Sequence, residues 1–436
     1  MSQSRRNFLK QTGVIGAGLL TIPSMAIGQS ELAALVSNKF GEFSIHQGLT
    51  LEDLTYLTVL RKVDAEISYE VVDSQNRRLS FLMISANKMT GSDWQLDKIK
   101  IPDLKLNENY RFRVLNSKKQ IIDERFFKAL DTNKKMPKLA IVSCASDFFR
   151  SASKTMWSSL KIQNPDLIFF IGDTCYADQA SDGTPLGFWQ RYVETRNRLG
   201  LYRHQVLTPI LASWDDHDFG KNNSDGSFKH KKFMLELFKT FWLFPEEKNY
   251  RRDMGVYQDF TAWGQKFYLM DCRYFRSPTT HYGAEQEEML YNSLNTYDQP
   301  SWLLNGSQFF GGYLKKDSYE HMQNESFKKF CQQLATVKAP VCFVSGDIHF
   351  SELMAIEPEI LGYKTYEITS SSIHSFTFVQ QQSFKKNPRR IAKCATSKHN
   401  FKIVVIDNSS DKFKFTVTCQ GDEKDIYYKQ ACEIIR

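Results

Sequence analysis

The sequence predicts an α/β chain in two unequal parts behind a removable leader. A small all-β sandwich is expected over residues 31–133 and a larger α/β domain over residues 134–436, with the leader over residues 1–30. Three observations predict this. The length of 436 residues exceeds one typical domain and suits two. Short β-rich stretches separated by turns fill the segment after the leader, with no long helical pattern. Beyond it, continuous apolar runs alternate with helical patterns, as strands buried on both faces require. Hydrophobic residues at 42% and charged residues at 24% exclude a disordered, collagen-like or purely coiled-coil chain.

In the leader, Arg5 and Arg6 precede a mildly apolar stretch from Thr12 to Ile27, interrupted by Gly13, Gly16, Gly18 and Pro23. The pattern resembles a twin-arginine export signal, with small residues near Ser24, Ala26 and Gly28 for cleavage. The resemblance implies export by the twin-arginine machinery to the periplasm or the cell exterior, often after a metal has been inserted. A retained anchor and an incidental basic terminus are the competing readings; the run is short for a span, and the mature chain is expected to have none. Arg5, Arg6 and Lys10 supply three of the eight surplus positive charges. The rest are spread along the chain, which does not favour a nucleic-acid partner. None of the eight cysteines forms a Cys-x-x-Cys pair, which excludes a zinc ribbon or thioredoxin motif.

The expected sandwich strands are Leu57–Leu60, Ala65–Val72, Leu79–Ala86, Tyr110–Leu115 and Gln120–Leu130, with turns at Asn107 and Asn116. A polar hinge from Asp131 to Lys138 follows. Strands are then expected at Leu139–Cys144, Asp166–Gly172, Pro209–Trp214, Lys266–Cys272, Val341–Ser345, Lys364–Thr369 and Lys402–Asp407. Helical patterns intervene at Ser151–Ile162, Leu186–Leu199, His230–Phe244, Ala284–Leu294 and Ser318–Ala335.

Polar residues recur where these strands end, the place α/β proteins use for their sites. The exits carry Cys144; Asp173, Tyr176 and Asp178; Asp215, Asp216, His217, Asp218, Asn222 and Asn223; and Asp347, His349 and Glu352. Each alone has an ordinary reading as a turn, a cap, a core histidine or a buried thiol. Together they predict a metal site, because carboxylates suit hard divalent cations whereas imidazole, thiolate and phenolate suit a transition metal such as iron. Two such cations clamp a phosphoryl group and sharpen a water into a nucleophile. No Gly-x-Ser-x-Gly elbow supports a serine hydrolase.

The exits also carry a family pattern. Ser143-Cys144, Gly172-Asp173-Thr174-Cys175-Tyr176-Ala177-Asp178, Trp214-Asp215-Asp216-His217-Asp218-Phe219 with Asn222, Met270-Asp271-Cys272-Arg273-Tyr274-Phe275-Arg276-Ser277 and Ser345-Gly346-Asp347-Ile348-His349-Phe350-Ser351-Glu352 occur in order. On these motifs the sequence resembles the alkaline phosphatase D family of the calcineurin-like metallophosphatases. The resemblance implies a four-layer α-β-β-α catalytic domain behind a fibronectin- or immunoglobulin-like sandwich, and a phosphoric ester hydrolase of alkaline phosphatase or phosphodiesterase type. It implies that Cys144, Asp173, Tyr176 and His349 hold Fe3+, with Asp173 bridging to a second metal and acting in catalysis. Asp216, Asn222 and Asp347 are implied ligands of one or more Ca2+ ions, other divalent metals remaining open. His217 is the implied phosphate contact or proton donor. Asp215, Asp218 and Glu352 rank lower. Arg273 and Arg276 either grip phosphate or brace a strand end against an acid such as Asp271, and bracing is favoured.

The expected activity is hydrolysis of phosphomonoesters, phosphodiesters or both by a metal-activated water. The alternatives are a phosphodiesterase acting on phospholipid or cell-wall polymer and, from another class, an inactive binding scaffold. The Ser370–Phe376 stretch and the basic Lys385–Arg390 segment carry no motif, and His374 reads as a loop histidine.

Overall fold

The computed structural model describes residues 41–148, 150–245, 247, 250–252, 255–311, 317–378, 387–409 and 411–436. The expected leader with Arg5 and Arg6 lies outside the described residues.

The first part of the chain forms two antiparallel sheets. One has the order Ser44–Thr50, Thr55–Lys62, Trp94–Ile101, Leu82–Lys88, and the other Ser68–Val72, Tyr110–Leu115, Ile121–Phe127. Alternation drives them together: along Tyr110–Leu115 the apolar Tyr110, Phe112 and Val114 are buried while Arg111 and Arg113 are only partly covered. They meet Ile45, Leu57, Val59 and Ile99 of the other sheet in one apolar cluster. Sequence reading missed Ser44–Thr50 and Trp94–Ile101 because their buried positions include polar residues. Gln95 donates to Asp97 at 2.6 Å and Arg61 to the same carboxylate at 2.7 Å. His46 meets the carbonyl of Ile210 at 3.3 Å.

The rest of the chain builds two mixed sheets. One runs Ile210–Ser213, Leu167–Ile171, Lys138–Val142, Phe401–Asp407, Phe413–Gln420, Ile426–Ile434. Its first three strands are parallel, and its last three pair antiparallel. The other runs Tyr250–Arg252, Gln258–Ala262, Gln265–Leu269, Ser301–Leu304, Val341–Ser345, Thr365–Thr369, Ser351–Ile356, Arg390–Thr396, parallel through its middle. The two sheets share a core in which Phe169 meets Phe267 at 5.0 Å and Trp302 meets Phe415 at 4.9 Å between ring centroids. The helices Arg150–Ile162, Pro185–Arg198 and Lys231–Trp242 pack Trp157, Phe188 and Phe238 with Val142, Ile168 and Phe170 of the first sheet. Leu290, Phe330 and Leu334 of Ala284–Thr296 and Asn324–Thr336 join the other core cluster with Phe343.

The chain is therefore mostly β, with mixed sheets and few helices, where sequence reading expected a more even α/β balance. The shortfall lies in strands that were not expected, among them Gln258–Ala262, Ser301–Leu304, Ser351–Ile356, Phe413–Gln420 and Ile426–Ile434. Several are short, and Ile426–Ile434 carries Lys429, Gln430 and Glu433 among its apolar residues, which blurs the signal. The single helix expected over Ser318–Ala335 is two, Tyr319–Met322 and Asn324–Thr336, broken at Gln323 where the backbone leaves the helical region. All eight cysteines are buried and free, packed as small core side chains. No helix among the described residues is long and apolar enough to cross a membrane.

Candidate metal centre

The parallel strands of the two sheets end side by side, and their exits converge. Close approach there needs glycine: a Cβ on Gly172 would lie 2.7 Å from that of Asp215, and one on Gly306 would lie 2.6 Å from the carboxyl carbon of Asp215. Three of the four exits also turn through left-handed backbone, with φ of 55° at Cys144, 51° at Asp173, 69° at Asp347 and 56° at His349. Non-glycine residues hold this region at a cost, which marks a functional site when it recurs.

Three groups of side chains have ligand atoms within 4.8 Å of one another: Cys144, Asp173 and His349; Asp173, Asp216 and His217; and Asp215, Asp216 and Asp347. Asp173 belongs to the first two and Asp216 to the last two, so the groups form one chain. Both carboxylate oxygens of Asp173 are buried with no hydrogen-bond partner among the described residues. Burial, opposed by His217 and reinforced by Asp216, Asp215 and Asp218, pushes the Asp173 carboxyl well above its usual range. Burial, reinforced by Asp215, Asp216 and Asp317 and opposed by Arg273, does likewise to Asp347. Burial also pushes the Cys144 thiol and the Tyr176 phenol up, each further raised by Asp173. A buried, acid-rich set whose bare groups resist ionisation is what a cation relieves. The donor set fits a pair or more of metal ions, with a thiol and imidazole at one end and carboxylates at the other.

His217 stands over the middle group. Burial lowers its pKa, but Asp173, Asp178 and Asp216 outweigh that and push it up to about 10. Asp178 takes Nδ1 at 2.8 Å, so Nε2 is the nitrogen that faces away from that carboxylate. The Tyr176 ring lies 4.4 Å from that of His217, and its hydroxyl donates to Ser375 Oγ at 3.1 Å. Asp216 accepts from the backbone N–H of His217 at 2.9 Å and of Asn223 at 2.6 Å. Burial alone would raise Asp216; Arg273, His217 and the Asn223 N–H hold it below its usual value.

The remaining expected residues take different places. Asp218 accepts from Thr174 Oγ1 at 2.5 Å and from the backbone N–H of Cys175 at 2.9 Å and Asp215 at 3.1 Å, so it ties two exits together. Asp215 accepts from Arg273 Nε at 2.5 Å. Arg273 and Arg276 both pair with Asp317, at 2.7 Å for the first. Asp271 pairs with neither guanidinium; it takes Trp214 Nε1 at 2.8 Å and the N–H groups of Val256, Arg273 and Tyr274. Glu352 is occupied by Arg390 Nε at 2.7 Å, Asn387 at 3.1 Å and Gln308 at 3.2 Å. Asn222 is exposed on the turn whose next residue bonds Asp216. Arg389 binds Glu320 and Glu357, and Lys385 and Lys386 lie outside the described residues.

Sequence reading missed a cradle of serines. Ser371 Oγ lies 3.1 Å from Cys144 Sγ and accepts from the His349 N–H at 3.0 Å. Ser370 Oγ donates to the Ile141 carbonyl at 2.9 Å. His374 packs edge-on against Trp157 and meets the Ser146 carbonyl at 3.0 Å, so it fastens this segment under the Cys144 exit. The only sequence signal was the run Ser370–Ser372 itself. Asp317 was missed too, lying far from every motif.

The PhoD-like phosphatase family description matches residues 139–418, a span that holds all of these side chains. The chain belongs to the PhoD-like phosphatase family. It is accordingly a phosphoric ester hydrolase. The solved structure titled "Structure of PhoD" superposes with a TM-score of 0.66 at 16% identity, covering 89% of this chain and 88% of that chain. That likeness establishes a shared fold. A pullulanase from Anoxybacillus sp. LM18-11, complexed with maltotriose, aligns at 7% identity with a TM-score of 0.15, over 70% of this chain and 62% of that chain, and has no bearing on the fold. No curated protein sequence matches.

Proposed function

We propose that this PhoD-like phosphatase is an exported, metal-dependent enzyme that cleaves phosphomonoesters, phosphodiesters or both. The observation that carries the reading is the chain of three ligand groups joined through Asp173, whose buried oxygens have no protein partner among the described residues. Cys144, Asp173, Tyr176 and His349 would hold Fe3+, and Asp216, Asp347 and Asn222 one or more Ca2+ ions, with Asp215 close by. Such cations polarise the phosphoryl oxygens and lower the pKa of a water toward neutral. His217, kept protonated by its three acidic neighbours, passes its proton to the leaving oxygen, while Asp178 holds the imidazole in one orientation. Asp218 and Arg273 hold the exits in register around it.

Arg5 and Arg6 support export through the twin-arginine machinery to the periplasm or cell exterior. We also assign an N-terminal sandwich of fibronectin or immunoglobulin type over residues 31–133 and a four-layer α-β-β-α catalytic domain over residues 134–436. The separate N-terminal apolar cluster and the helices packed with both mixed sheets support that division. Phospholipid or cell-wall polymer diesters are the alternative substrates: Phe376 stacks on His349 at 4.0 Å with 40% of its surface exposed, an apolar wall beside the ligands.

The test is hydrolysis of an aryl phosphate and a bis-aryl phosphate by metal-loaded protein, alongside elemental analysis. Asp173→Ala is expected to lose activity by orders of magnitude with an unchanged circular dichroism spectrum. Full activity in that variant, or purified protein without bound metal from a metal-replete host, overturns the assignment.

A further inference from the structure

Far along the first mixed sheet, Lys402 lies directly across the antiparallel ladder from Cys419. Both side chains are fully buried. Lys402 Nζ sits 3.2 Å from Cys419 Sγ. Asn400 Oδ1 organises the pair, accepting from Nζ at 2.7 Å and from Sγ at 3.4 Å. Asn400 is itself fixed: its Oδ1 also accepts from Ser351 Oγ at 2.7 Å, and its Nδ2 donates to the Lys398 carbonyl at 2.8 Å. The Tyr428 ring, 5.5 Å from Nζ, closes the other side.

Among the described residues Lys402 forms no ion pair with a carboxylate. A buried ammonium without a counter-ion is costly, and burial holds the Lys402 amine below the ordinary lysine range. The amine therefore gives up its proton more readily than an exposed lysine, and once it does so a lone pair stands beside the thiol. An amine so placed can take the thiol proton as sulfur attacks an oxidant, which offsets the burial that keeps Cys419 protonated.

We propose that Lys402 and Cys419 form an oxidation site that closes a covalent N–O–S crosslink between the two strands when the protein meets hydrogen peroxide. In the first step the sulfur attacks peroxide, the O–O bond breaks, and Cys419 becomes a sulfenic acid with release of one water. In the second step an N–O bond forms between Nζ and the sulfenic oxygen. One N–H and the sulfenic O–H break, and their two hydrogens and two electrons reduce a second peroxide to two waters. Sulfur and nitrogen are each oxidised by two electrons. One bridging atom suits the present N···S separation, and neither backbone strand has to change register.

The experiment treats the full chain with hydrogen peroxide, digests it without reductant and maps peptides by mass spectrometry. The expected product is a single species joining the Lys402 and Cys419 peptides, heavier than their sum by one oxygen less two hydrogens, and split again by a thiol reductant. Lys402→Met and Cys419→Ser are expected to lose it, and Asn400→Ala to form it more slowly. Wild-type protein that gives only sulfenic or sulfinic acid at Cys419, a disulfide to Cys394, or no change overturns the proposal. That wild-type measurement decides even if a variant does not fold.

Discussion

At His217 burial and neighbouring acids pull in opposite directions, and the acids win. A protonated imidazole is useful where an oxyanion departs, and its worth depends on how poor that leaving group is. His217→Gln is expected to slow alkyl phosphate hydrolysis about 10²- to 10⁴-fold, the usual span for one general acid. The loss should be smaller for an aryl phosphate with a good leaving group; equal losses for both substrates would argue for phosphate binding instead. Asp178, visible at the Asp173 exit but not assigned a part, earns its role only through the 2.8 Å contact with His217 Nδ1. Cys144, Asp173 and His349 were legible because their residue types have metal chemistry of their own. Ser371 was not, because a serine acquires meaning only from what lies opposite it.

Between elements, the exits are tied by charge inside the protein. Arg273 is fully buried and bonds Asp215 on one strand exit and Asp317 beyond another. Removing the cation leaves Asp215 uncompensated and Asp317 with Arg276 alone, so Arg273→Met is expected to lose about 3–5 kcal/mol of stability in urea unfolding. A loss below about 1 kcal/mol would mean that water replaces the guanidinium. The helix Arg150–Ile162 carries a second buried cation, Lys161, near its end, hydrogen-bonded to Thr208 Oγ1. Burial brings Lys161 down to about 7 from its ordinary 10.5. Between those values the unfolded chain binds a proton that the folded chain does not, so this group makes stability rise with pH through that window. Below pH 7 the cost of charging it is present in full. Lys161→Met should flatten the slope between pH 7 and pH 10.5, gaining most at the acidic end; parallel stability curves for the two proteins would show that Lys161 reaches water.

Across the whole molecule, four carboxylates and a thiol face one another where several strands end, and the fold holds them there. Occupancy by a divalent or trivalent cation should therefore stabilise the folded chain, by about 2.7 kcal/mol at a hundredfold excess over the dissociation constant. Chelation is expected to lower both the melting temperature and aryl phosphate hydrolysis, and re-addition of metal to restore both. A melting temperature indifferent to chelator would place the cations outside the folded site. The N-terminal sheets take part in this stability: Leu49, Leu51, Leu54 and Tyr56 belong to the large core, and Arg196 reaches Ser44 and Thr58 at 3.2 and 3.0 Å. By itself the sequence determined the polar strand exits and the family pattern, because each rests on local residue type and spacing. Only the tertiary structure decided the strand-rich balance of the fold, the partners of Arg273 and Arg276, the work of Asp218 and the serine cradle. Those depend on contacts between residues far apart in the chain, such as Cys144 with Ser371 and Arg276 with Asp317, and no local pattern encodes which distant group will complete a buried polar one.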